Sequence, residues 1–72
     1  WAYFKLGKFA EAEKYLVKAA KYDSSSTTIL EHLGDAYMKN GKIQEAKKVW
    51  KKATNFTSNK EDIERLEKKI SK

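Results

Sequence analysis

Residues 1–24, WAYFKLGKFAEAEKYLVKAAKYDS, are rewritten at residues 35–58 as DAYMKNGKIQEAKKVWKKATNFTS. Laid over each other, the two stretches match Ala2 with Ala36, Tyr3 with Tyr37, Lys5 with Lys39, Gly7 with Gly41 and Lys8 with Lys42. The match continues through Glu11 and Glu45, Ala12 and Ala46, Lys14 and Lys48, Lys18 and Lys52, Ala19 and Ala53, and Ser24 and Ser58. Self-similarity at a fixed spacing is the mark of stacked structural repeats, each of which needs a neighbour to bury its apolar face.

Inside each copy the apolar residues recur at three and four. Phe9, Ala12, Leu16, Ala19 and Ala20 form one such stripe, and Ile43, Ala46, Val49, Trp50, Ala53 and Phe56 form its echo. Between them Ile29, Leu30, Leu33, Ala36, Tyr37 and Met38 make a third, and Ile63, Leu66 and Ile70 a narrower fourth. This is the period of an amphipathic helix. Asn40-Gly41 and Leu6-Gly7 read as helix stops, Asp23-Ser24-Ser25-Ser26 as an N-terminal cap, and Ser58-Asn59-Lys60-Glu61 as a capping box. The expected plan is all-α: a helix fragment at 1–6 and helices at 8–22, 26–39, 42–56 and 59–70. Short connections make neighbouring helices antiparallel.

Composition narrows the function classes. The 72 residues carry 16 Lys and Arg against 10 Asp and Glu, a net charge of +6, and fifteen of those cations are lysine. Such a chain fits one small domain. Cysteine is absent, which excludes disulfides and thiolate metal sites and fixes no compartment. There is no secretory signal pattern and no apolar run near the roughly 20 residues that span a bilayer.

The residues Leu30-x2-Leu33-Gly34-x2-Tyr37, followed by Ala46-x3-Trp50-x2-Ala53, resemble the tetratricopeptide repeat, whose 34-residue unit is a helix-turn-helix. Gly34 and Ala46 are small where two helices approach closely, and a glycine inside a helix costs about 1 kcal/mol relative to alanine, so a contact is expected to require it. Ser24 and Ser58 stand where the family places a proline. The resemblance implies a right-handed α-solenoid divided into a truncated first repeat at 1–25, a complete repeat at 26–58 and a C-terminal capping helix at 59–72. Because Trp1-Ala2-Tyr3-Phe4 aligns with mid-helix residues 35–38, the chain is expected to be the C-terminal part of a longer array.

The resemblance also implies a function: a non-enzymatic scaffold that holds a peptide or protein segment in a groove lined by the first helices. Carried over by position, that groove comprises Thr28, Glu31, His32, Asp35, Met38 and Lys39, with Trp1, Phe4 and Lys5 from the truncated unit. The acids in this set favour a basic and hydrophobic partner and argue against a clamp for acidic tails. His32 between Glu31 and Asp35 suggests a charged imidazolium, but no nucleophile or second metal ligand accompanies it, so catalysis, metal and cofactor binding are not expected. An architectural role, with self-association through the N-terminal aromatic edge, is the alternative. Lys47, Lys48, Lys51 and Lys52 form the densest basic cluster, which reads as a solvated face; electrostatic nucleic-acid binding there is the weaker alternative and would call for a broader basic face, preferably with arginine or stacking aromatics.

Overall fold

A computed structural model describes residues 7–71, which form four helices in series: α1 (Phe9–Tyr22), α2 (Thr27–Lys39), α3 (Ile43–Thr54) and α4 (Lys60–Ile70). Among the described residues there is no strand. Each helix packs chiefly on the next in sequence, α1 on α2, α2 on α3 and α3 on α4. The expected fragment at 1–6 lies outside the described residues.

The helix ends follow from local chemistry. Ser26 caps α2, its hydroxyl accepting from the Ile29 N–H at 3.3 Å. At the other end Gly41 takes φ 78°, which lets the Lys42 N–H reach the Tyr37 carbonyl at 2.8 Å and the Gly41 N–H reach Met38 at 3.1 Å. Two of the open carbonyls of the last turn are thereby satisfied. Gly7 has the same φ of 78° one period earlier. Lys8 and Lys42 provide no side-chain cap to α1 and α3, and an acid in each first turn, Glu11 and Glu45, complements the helix dipole instead.

Two expectations at the connection between α3 and α4 change. The cap of α4 is Asn59 rather than Ser58: its side-chain oxygen accepts from the N–H groups of Glu61 at 2.9 Å and Asp62 at 3.2 Å. Ser26 and Asn59 therefore stand one residue short of the 34-residue period, and Ile63, Leu66 and Ile70 take the places that Leu30, Leu33 and Tyr37 hold in α2. In addition, α3 ends at Thr54 and Phe56, expected in the core, is 44% exposed in the turn that follows. Ile43, at the opposite end of the same stripe, is likewise exposed.

The core forms two clusters with α2 between them. On one side Ala12 and Leu16 of α1 meet Leu33 and Ala36; on the other Leu30 meets Ala46, Trp50, Ala53 and Leu66. Ala20 and Tyr37 touch both clusters. The first hairpin is tied to the second by Glu13, which accepts from the Asn40 side-chain amide at 3.0 Å and pairs with Lys42 at 2.7 Å. The same Asn40 amide also donates to the Phe9 carbonyl at 3.0 Å.

Candidate partner-binding face

The geometry of α2 begins at Gly34. A Cβ placed there would enter the Trp50 indole, lying 2.8 Å from Cε2 and closer still to Nε1 and Cδ1. The glycine thus lets the indole lie against the helix backbone, where Trp50 Nε1 donates to the Glu31 carbonyl at 3.2 Å. A helical carbonyl has a second lone pair to offer, so this bond needs no break in the helix.

Above that indole sits a charge network between α2 and α4. Arg65 grips Glu31 with two nitrogens, Nε to Oε2 at 2.7 Å and Nη2 to Oε1 at 2.8 Å, and Nη2 also reaches Asp62 at 3.0 Å. Lys69 donates to Glu31 at 2.9 Å and to both oxygens of Asp35, at 2.9 and 3.2 Å. Its ammonium also lies 5.8 Å from the centre of the Trp50 ring, within cation–π range. The Arg65 hydrogen bonds outweigh burial and hold the Glu31 carboxyl down at about 2. Burial pulls Lys69 down, but its bonds to Glu31 and Asp35 together raise it above its ordinary value.

The expected groove residues separate accordingly. Thr28, His32, Asp35 and Lys39 follow one another at helical spacing and form an open or half-open stripe along α2. Glu31 is only 9% exposed and its charge is already met within the chain, so it belongs to the framework beneath the face rather than to a free acidic surface. Met38 is partly buried against the Leu30 cluster. Lys39 holds its ammonium 6.0 Å from the Phe9 ring. Trp1, Phe4 and Lys5 lie outside the described residues.

At His32 the neighbours' pull towards a charged imidazolium is outweighed: burial lowers the pKa, and Asp35 and Glu31, which raise it, do not cancel that effect. Among the described residues no group of three or more His, Cys, Asp or Glu side chains is placed to hold a metal ion. No described helix is long and apolar enough to cross a membrane.

Arg65 and Lys69 were absent from the residues singled out in the sequence. A signal for them exists: Arg65 follows Glu31, and Lys69 follows Asp35, by one full 34-residue period with opposite charge. Corresponding helices of successive repeats lie side by side and bring such positions together.

A serial stack of short helices, with one helix buried on two flanks and open along a third, defines a helical-repeat interaction module. A family model for the tetratricopeptide repeat matches residues 3–70, and the chain belongs to that family. Tetratricopeptide repeats are typically non-catalytic and engage other proteins. No curated protein and no solved structure matches the chain.

Proposed function

We propose that this chain is a non-enzymatic scaffold module that binds an extended or helical segment of another protein along α2. The observation that carries the reading is the stripe of Thr28, His32, Asp35 and Lys39 on a helix fixed from below by the Trp50 indole and from the side by Arg65 and Lys69. A face held this firmly loses little freedom on binding, which favours affinity.

The internal pairing also refines the partner. With Glu31 and Asp35 answered by Arg65 and Lys69, the face offers hydrogen bonding of mixed polarity and no net acidic field. A segment combining apolar and uncharged polar groups suits it better than a strongly basic one. We assign residues 1–25 to a partial repeat, 26–58 to a complete one and 59–72 to a closing helix. The support for a closing helix is α4 itself, which exposes Glu61, Glu64, Glu67 and Lys68 on the side away from Leu66.

A peptide-display selection against the chain tests the assignment. Selected peptides should lose affinity when Thr28, His32 and Lys39 are replaced together by alanine, with the far-UV spectrum and melting temperature preserved. Peptides that bind the triple variant as well as the parent would place the contact elsewhere and refute the reading.

A further inference from the structure

One side-chain amide ties α1 to the second hairpin. Asn40 Nδ2 donates to the Phe9 carbonyl and to Glu13 Oε1, both at 3.0 Å. Both neighbours are acceptors, so only the nitrogen of the amide can face them. The residue after this asparagine is Gly41. Glycine has no Cβ to shield its own nitrogen, and an Asn-Gly peptide can therefore close on itself. The Gly41 nitrogen attacks Asn40 Cγ, the N–Cγ bond forms, the Cγ–Nδ2 bond breaks, and ammonia leaves with the proton of the Gly41 N–H. Water then opens the cyclic imide at either carbonyl. One product is aspartate; in the other, isoaspartate, the main chain runs through the former side chain and is longer by a methylene.

The fold holds this reaction back. Asn40 has ψ 8°, so the Gly41 nitrogen eclipses the Asn40 nitrogen, whereas ring closure needs it to eclipse Cβ. The Gly41 N–H is engaged by the Met38 carbonyl at 3.1 Å, and the Asn40 amide by α1. Closure requires these bonds to open together at the end of a helix, where local opening is easiest.

We propose that Asn40 is a self-modifying latch: each opening of the joint to α1 exposes it to cyclisation onto Gly41, and conversion to aspartate or isoaspartate releases α1 irreversibly. Aspartate sets an oxygen where the amide nitrogen stood, against the Phe9 carbonyl and the Glu13 carboxylate. Lys42 is already paired with Glu13 at 2.7 Å, so its single ammonium would have to serve two carboxylates. Isoaspartate in addition lengthens the chain where Gly41, at φ 78°, returns the Lys42 N–H to the Tyr37 carbonyl. Asn55 and Asn59 precede Phe56 and Lys60, whose side chains hinder the same closure. The latch does not depend on the binding face of α2.

The test is incubation of the full chain in mildly alkaline buffer, with and without denaturing urea, followed by peptide mapping for replacement of NH2 by OH and for isoaspartate at residue 40. In urea Asn40 should convert well ahead of Asn55 and Asn59. In the folded chain it should convert more slowly, by about a hundredfold if each of the three hydrogen bonds holds it back about fivefold. Glu13→Ala should speed conversion of the folded chain by about fivefold and leave the rate in urea unchanged. Asn40→Asp, standing in for the product, should melt about 6 °C or more below the parent and lose hydrogen-exchange protection in α1. Asn40→Gln, whose longer side chain cannot close the same ring, should show no conversion over the same period. Equal rates in buffer and urea overturn the gate, and no conversion of the folded chain overturns the self-modification. An Asn40→Asp protein as stable as the parent overturns the latch.

Discussion

Replacing Gly34 with alanine sets two well-defined effects against each other. On propensity alone the change should help, because alanine in a helix interior is better than glycine by about 1 kcal/mol. The new methyl, however, occupies space held by the Trp50 indole, a residue only 3% exposed and backed by Leu30, Ala46, Ala53 and Leu66. Forcing a group into a filled core costs about 1–3 kcal/mol. Displacing the ring also stretches the Nε1 bond to Glu31, worth about 1 kcal/mol, and moves it from beneath Lys69. The net expectation is a loss of about 2 kcal/mol, or a fall in melting temperature of about 8–16 °C for a domain of this size. Thermal unfolding by circular dichroism measures it. Tryptophan emission in a Trp1→Phe background reports whether Trp50 becomes exposed. A Gly34→Ala protein as stable as the parent, or more so, would refute the close-approach reasoning, since propensity would then have prevailed.

Two further outcomes are expected. Glu31→Gln should lower stability at pH 7 by about 2 kcal/mol, less than a fully buried pair because half-exposed Arg65 regains water. The parent, whose Glu31 is depressed to about 2 in the folded state, should keep this contribution above the ordinary value of 4.5 and lose it progressively as pH falls towards 2; urea unfolding across that range should show a flatter profile for the variant. Asn59→Ala should cost about 1 kcal/mol through loss of the α4 cap, while Ser58→Ala should leave the urea midpoint unchanged.

The four described helices were legible in the sequence because amphipathic spacing and caps are local, and each lies within one or two residues of its expected bounds. Gly34 was legible too, since its cost inside a helix signals an external demand. The burial of Glu31 was not. A carboxylate reads as surface until a partner is placed beside it, and that partner comes from α4, where the apolar stripe has slipped from the period while Arg65 and Lys69 have kept it. Phe56 was misplaced for a related reason: α3 stops at Thr54, so the helical projection that would turn the ring inward no longer applies. Met38 shows the reverse, a position assigned to the groove that packs partly into the core.

The shortened spacing between Ser26 and Asn59 has a consequence for length variation. Each residue of a helix advances its neighbours by about 100° of rotation, and that rotation starts afresh at the cap. A residue lost before Asn59 therefore leaves Ile63, Leu66 and Ile70 facing inward, whereas one lost between Leu66 and Ile70 would swing Ile70 sideways and bring Ser71 into its place. The connection at 55–59 separates angular phase from residue count, so insertions and deletions are absorbed there and excluded from α4.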